Sequence, residues 1–413
     1  MPEREFLEQE LKGTLDFFRD FTNLDPHSPG FGLTVDVTRK PHIASIASVG
    51  FALSAWVIAA ERGYMERAAA QDIVRRTLLT LLQHADHHRG FFAHFLDMQS
   101  SARWRQCEFS TIDTALCLNG VITAAAYFGD AEIEALAQQL LERVDWRAFV
   151  VERDGRKLFR MAYNPDAGGD YVGGNPGFVG YWDMAAEQKM LYLQAAPLLE
   201  PELARALYHG FDRTVGDYEG QPVIINPGGT LFAYQYTEAW LDTAHYLDPD
   251  GVDWFNNTRL AALANRDFCL AHAGEFKTYH EHCWGIGCGD SPWGYDVSGA
   301  LPALTPPRPN GVVSISNATA CLPFIPDLTL DMLAYLCREH PQTWGPYGFY
   351  DAFSLDATPP WYSQSVYGIN KGCALLMIEN YLSGLIWDVY TRSPWIQRAL
   401  AVLGFTRWER DSL

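Results

Sequence analysis

A largely apolar segment followed by a charged amphipathic one recurs six times along this chain, and this alternation constrains the fold more than any other feature. The pairs are 43–60 with 64–83, 111–128 with 131–144, 183–196 with 201–218, 236–246 with 256–272, 314–324 with 328–339, and 373–390 with 394–403. Residues 43–60 carry no charge, whereas 64–83 holds Glu66, Arg67, Asp72, Arg75 and Arg76. A helix that is apolar all round is enclosed by protein, and one with a polar face lies outside. Six inner and six outer helices in alternation predict an all-α fold, an (α/α)6 barrel. No strong repeat of residue identities accompanies the pattern, which argues against a solenoid. Asp154-Gly155 predicts a small β-hairpin over 149–163. No Ser/Gly-rich linker divides the chain, so 1–413 reads as a single domain, with a helical flank at its N-terminal end over residues 1–40.

Charge and cysteine usage narrow the partners. The net charge is −19 and the pI is near 5.0, which argues against nucleic acid and anionic membrane and suits a neutral or cationic ligand. The first residues, MPEREFLEQELKG, contain no apolar stretch of the signal-peptide kind. No uncharged run combines the length and the loop flanks of a membrane span, and 43–60 comes nearest. Eight cysteines form no CxxC spacing and fall mostly in apolar helical patterns, as expected of reduced thiols in a cytoplasmic protein.

Acids at the ends of the inner segments are the candidate chemistry. Glu108, Asp113, Asp183, Glu187, Glu238, Asp242 and Glu281 all fall in or near segments expected to converge on one rim. Ser110 and Thr111 are helix-start residues, and they place Asp113 in the first turn of a long apolar helix. Glycoside hydrolysis needs one carboxyl to protonate the leaving oxygen and another as base or nucleophile. Glu187, within YWDMAAEQKMLYLQAA, has apolar neighbours that would keep it protonated, although Lys189 could instead hold it as a structural ion pair. Glu108 and Asp113 are only five residues apart across a helix start and belong to one cluster. Catalysis needs carboxyls on opposite sides of the scissile bond, about 5–10 Å apart.

Two long connections, 164–181 and 273–313, are rich in aromatic residues, Gly and Pro, and read as ordered binding loops. In the second, Trp284, Trp293 and Tyr295 offer sugar-stacking faces. His280 and His282, two residues apart, suit neither a helical His pair nor a common zinc spacing, so no metal is expected there. His84, His87 and His88 read as a solvated helix end. Gly173-Gly174 and Gly228-Gly229 lack the spacing of a phosphate loop, and no GxSxG is present.

Eight segments in order carry a resemblance to a known family: IASIASVGFALSAWVIAAERG, GFFAHFLD, EFSTIDTALCLNGVITAAAYF, LFAYQYTEAWLD, DWFNNTRLAALA, HEHCWGIG, WGPYGFYDAF and LLMIENYLSGLIW. Together they resemble the glycoamylase-like family, which includes bacterial endo-β-1,2-glucanases and the transglycosylating domain of cyclic β-1,2-glucan synthases. The resemblance spans about 43–405 and implies an (α/α)6 barrel. It implies that Glu187 is the general acid and that Glu108 and Asp113, in an E-x-S-T-x-D motif, bind substrate or relay protons. Glu281 matches the glutamate of a G-E-N-x-W-G motif, the nucleophile position in retaining relatives. The candidate catalytic set is thus Glu187, Glu281 and Asp113. The candidate sugar-binding set is Glu108, His94, Tyr181, Tyr236, Trp284, Asp351 and Asn370.

Three departures lie around the reacting sugar. The family's I-D-Q-G is Ile369-Asn370-Lys371-Gly372 here, its G-E-N is His280-Glu281-His282, and Ala186 stands where relatives have Asn. An amide at 370 cannot act as a base. The resemblance implies cleavage of β-1,2-glucosidic bonds in a glucan or its oligosaccharides, with no cofactor. The alternatives are retaining transfer or exo cleavage on short oligosaccharides, and a non-catalytic glucan-binding protein.

Overall fold

The computed structural model describes residues 3–166 and 175–410. Residues 167–174 of the first long connection, with Gly173 and Gly174, lie outside that range. The chain is helix-rich. Its helices are α1 (Glu3–Asp20), α2 (Ile46–Glu61), α3 (Arg67–Gln83), α4 (Thr111–Phe128), α5 (Ala131–Glu142), α6 (Lys189–Ala195), α7 (Pro201–Tyr208), α8 (Leu231–Gln235), α9 (Trp254–Ala271), α10 (Ile315–Thr319), α11 (Pro326–Glu339), α12 (Gly368–Ser383), α13 (Leu385–Thr391) and α14 (Pro394–Leu403). Among the described residues no sheet has more than three strands.

Patterning decides who is inside. Every residue of α2 from Ile46 to Ala59 is buried, and α4 is buried from Thr114 to Ala124. By contrast α3 buries only a stripe that includes Ala70, Val74, Leu78 and Leu81. The buried helices pack in sequence, α6 on α4, α4 on α2, α2 on α12, α12 on α10 and α10 on α8. Lys189 at the start of α6 pairs with Glu238, just after α8, at 3.0 Å, and Thr237 Oγ1 donates to Glu187 O. At the α2–α4 crossing the backbones touch: a Cβ on Gly50 would lie 2.1 Å from Leu116 O, and one on Gly120 would lie 2.0 Å from Gly50 O. Glycine is required at both positions for that approach. Among the described residues α4, rather than 43–60, is the helix long and apolar enough to cross a membrane, and it lies mostly buried among α2, α5, α6 and α13.

Several expected inner helices are shorter than their apolar patterns. The segment 183–196 becomes helical only at Lys189, because Gln188 ties the turn before it: its Nε2 donates to Met184 O and its Oε1 accepts from Ala186 N. Such local side-chain bonds compete with a helix ladder. In 236–246 turns and bends follow α8 until Tyr246 enters a short strand, and α10 covers five residues of 314–324. Gly384, at φ 72°, divides 373–390 into α12 and α13. The segment 201–218 ends as a helix at Tyr208 and continues as a hairpin, Val215–Tyr218 with Gln221–Ile224. The expected hairpin is present as Val150–Arg153 with Arg156–Phe159, turning at Asp154 (φ 51°) and Gly155 (φ 75°). The left-handed pair matches a type I′ turn.

The flank is fastened to the body at both ends. Glu10 accepts from Lys371 Nζ and from Phe349 N in the interior. Short strand pairs then lead into the inner helices: Ile43–Ser45 pairs with Phe95–Asp97, and Phe109–Ser110 with Ala162–Asn164. His94 O takes the first amide of α2, Ile46 N, and His94 N donates to Glu108 O. These pairings set the backbone positions of His94, Glu108 and Asp113.

Candidate active site

A cavity of about 670 Å³ opens at the starts of α4, α6 and α12. From α4 and the strand before it come Glu108, Ser110, Ile112, Asp113 and Leu116. Trp182 and Glu187 precede α6, Phe232 and Tyr236 come from α8 and its end, and Tyr367 and Ile369 from the start of α12. The N-terminal flank adds Asp36, Val37, Arg39 and Lys40, and the hairpin Cys288–Ser291/Gly294–Val297 adds Cys288, Gly294, Tyr295 and Val297. Five sequence-stated candidates therefore share one chamber: Glu187, Asp113, Glu108, His94 and Tyr236.

One wall is a proton network. His94 Nδ1 lies 2.7 Å from Glu108 Oε1, and its Nε2 lies 3.6 Å from Asp113 Oδ1. Ser110, the N-cap of α4, donates to Asp113 Oδ2 at 2.5 Å and accepts from Asp113 N. Burial works against a charged imidazole, but Asp113, Glu108 and Asp36 outweigh it and His94 is pushed up to about 9. Burial raises the Asp113 carboxyl, with His94 and Ser110 pulling the other way. Burial also opposes the Glu108 charge, yet the His94 bond holds that carboxyl below its ordinary value. At neutral pH the wall is an imidazolium between two acids. Donor atoms of His94, Glu108 and Asp113 also lie within 4.8 Å of one another, close enough to share a cation.

Glu187 stands apart from that network. Lys189, its nearest cation in sequence, pairs with Glu238 instead and lies 4.3 Å from the Trp254 ring centre. Glu187 Oε2 is buried with no hydrogen-bond partner, and no ion pair reaches this residue among the described residues. Burial first, then the charge of Asp113, pushes its carboxyl up to about 8. A carboxylic acid that stays protonated at neutral pH is a proton donor.

The facing wall is fixed by Asp290. Its Oδ1 accepts from Arg39 Nη1 at 2.9 Å and its Oδ2 from Ser363 Oγ at 2.7 Å. Arg39 also reaches Ser365 Oγ at 2.8 Å and the Tyr367 hydroxyl. Behind it, Asp351 accepts from Asp290 N and from Asn370 Nδ2, which also donates to Cys288 O. Burial raises the Asp351 carboxyl to about 6. Asp351 and Asn370 do not line the cavity; they hold the hairpin that does.

Three other candidates lie elsewhere. Glu281, expected as nucleophile, has a side chain 72% exposed and pairs with His282 at 3.3 Å, outside the cavity lining. His282 in turn pairs with Asp331 of α11, so this tip of the segment is held by surface partners. Trp284 is wholly buried in the core, where apolar packing claims it instead of a sugar. Tyr181 does not line the cavity and is covered by the Arg153 guanidinium at 4.2 Å; its neighbour Trp182 does, donating to Thr111 Oγ1. Asp242 pairs with His245 and Glu238 with Lys189, so the acids do not all converge. The expected helical flank is helical only over α1, and the missed residues Asp36, Arg39 and Lys40 come from its non-helical remainder, where no periodicity places them. Trp182 and Phe232 carry no signal in the sequence beyond an aromatic residue in a largely apolar segment.

A family model described as "Putative glucoamylase" matches residues 180–394, more than half of the chain, and the chain belongs to that family. It is similar to an exo-β-1,2-glucooligosaccharide sophorohydrolase (non-reducing end) of Parabacteroides distasonis, 26% identical over 397 residues, covering 88% of this chain and 53% of that protein. The chain thus spans about half the length of that relative. In fold it is similar to a Bacteroides uniformis protein of the same family description, with TM-score 0.84, 24% identity and 98% of each chain covered. It is likewise similar to an endo-β-1,2-glucanase from Chitinophaga pinensis in complex with sophorotriose and glucose, with TM-score 0.83, 22% identity, and 98% of this chain and 99% of that one covered.

Proposed function

We propose that this protein is a glycoside hydrolase cleaving β-1,2-glucosidic bonds in β-1,2-glucan or its oligosaccharides. One observation carries the reading: a buried Glu187 carboxyl, raised to about 8 and without a cation partner among the described residues, lines the same cavity as the His94–Glu108–Asp113 wall. Glu187 gives its proton to the glycosidic oxygen as the bond to the anomeric carbon breaks. Asp113 takes the proton of the attacking water, and the His94 imidazolium and Glu108 compensate the changing charge. Tyr236, Phe232 and Trp182 supply apolar surface for the ring. The names of the similar proteins support the linkage. We read the buried helices, linked from α6 round to α8 and on through Lys189–Glu238, as the inner ring of an (α/α)6 barrel forming one domain.

Glycosyl transfer is the second reading, and Asn370 favours it. Its amide is committed to Asp351 and Cys288 O, so that position offers no base for water. Incubation with β-1,2-glucan and defined oligosaccharides, followed by NMR of the anomeric protons, tests both. Shorter products with newly released reducing ends support hydrolysis, longer products support transfer, and an unchanged spectrum removes the enzyme reading.

A further inference from the structure

The hairpin Cys288–Ser291/Gly294–Val297 turns its apolar side outward. In an antiparallel pair, residues directly opposite share a face. The Gly289–Asp296 pair faces inward: a Cβ on Gly289 would lie 2.4 Å from Asp351 Oδ2, and Asp296 Oδ2 accepts from Asn310 Nδ2 at 2.7 Å and Ser298 Oγ at 3.0 Å. The other face carries Tyr295 and Val297, which line the cavity while remaining 47% and 68% exposed. Trp293, in the turn, is 72% exposed, the most open large apolar residue described. Two residues from Tyr295, its Cα lies within about 7 Å of a cavity-lining residue.

This turn is built rather than loose. Ser291 Oγ donates to Gly294 O at 2.6 Å and accepts from Trp293 N at 3.2 Å, while Asp290 is gripped by Arg39 and Ser363 at the base. A held, water-exposed indole continuing a cavity wall has an unused apolar face. Its surroundings give the occupant's chemistry: the exposed part of the strip is apolar and aromatic, and Asp290, opposite Tyr295, is buried and already paired with Arg39, as suits the neutral C–H face of a pyranose ring.

We propose that Trp293 and Tyr295 form an outer glucan-binding subsite that takes sugar units projecting beyond the cavity and so sets the preferred chain length. The proposal rests on the β-1,2-glucan reading above. Trp293 acts in binding alone and takes no part in bond cleavage.

The test is steady-state kinetics on β-1,2-linked gluco-oligosaccharides of increasing length, with the unaltered protein, Trp293→Ala and Trp293→Phe. For the unaltered protein KM falls as the chain lengthens. In Trp293→Ala the KM for long substrates rises about tenfold, kcat holds, and the shortest cleaved substrate is unaffected. Trp293→Phe restores most of the loss, and all three proteins melt at the same temperature, since the side chain is at the surface. A Trp293→Ala profile equal to the unaltered one, or a KM raised equally at every length, overturns the subsite while leaving the proposed function standing. No product from any β-1,2-linked substrate with the unaltered protein overturns both.

Discussion

Glu187 and Glu238 are glutamates of similar depth in the same helix-rich body, and burial raises both carboxyls, but only at Glu238 does a cation pull the other way. Glu238 pairs with Lys189 at 3.0 Å, away from the cavity lining. Glu187, two residues before that lysine, has no cation partner among the described residues and opens onto the chamber. An isolated buried carboxylate is too costly to keep ionised, so it keeps its proton instead. The ion pair gives structure, and the missing ion pair gives a usable acid. Glu187 with a cation would be a second Glu238.

The largest effect that would break this contrast is chemical. Glu187→Gln is expected to fold normally and lose roughly 10³-fold in kcat; turnover within tenfold of the original would remove its role as acid. The contrast also has a sign in stability. Glu187 is raised in the folded state from 4.5 to about 8, so the folded protein holds the proton longer than the unfolded chain. Its favourable contribution is complete below about 4.5 and disappears as pH rises through 8. Relative to Glu187→Gln, the unaltered protein should therefore lose stability across that window in denaturant titrations, and parallel curves would contradict it.

Lys189→Met sharpens the other half. It leaves Glu238 buried without compensation and should cost about 3–5 kcal/mol of stability, most of it recovered by adding Glu238→Gln. A smaller loss of activity follows His94→Gln, which removes the imidazolium between Glu108 and Asp113: kcat is expected to fall about 10²-fold. The His94 charge itself fades as pH passes about 9, so activity in the unaltered protein should decline there. Least affected is Glu281→Gln, at a surface pair with His282, where kcat/KM should stay within about twofold and stability within about 1 kcal/mol.

What the sequence disclosed follows from what each signal encodes. Residues 43–60 and 64–83 differ in charge, and that difference placed α2 inside and α3 outside with boundaries close to those observed. The spacing of Ser110 and Asp113 disclosed the cap of α4 and one wall of the cavity. Glu281 misled because a motif match records residue type, not the tertiary partners, His282 and through it Asp331, that Glu281 meets at the surface. Lys189 was ambiguous for a related reason: its partner lies 49 positions away at Glu238, beyond local spacing. Arg39 was invisible because its partners Asp290, Ser365 and Tyr367 join it only through the tertiary fold.

The buried bond between Glu10 and Lys371 has a consequence in time. These residues are 361 positions apart. A ribosome adding about 5–20 residues per second needs roughly half a minute to make the second after the first. Throughout that interval α1 carries a carboxylate whose partner does not yet exist. The flank bearing Asp36 and Arg39 cannot be locked down until the start of α12 has emerged, so the cavity gains this wall only after about 360 further residues have been added.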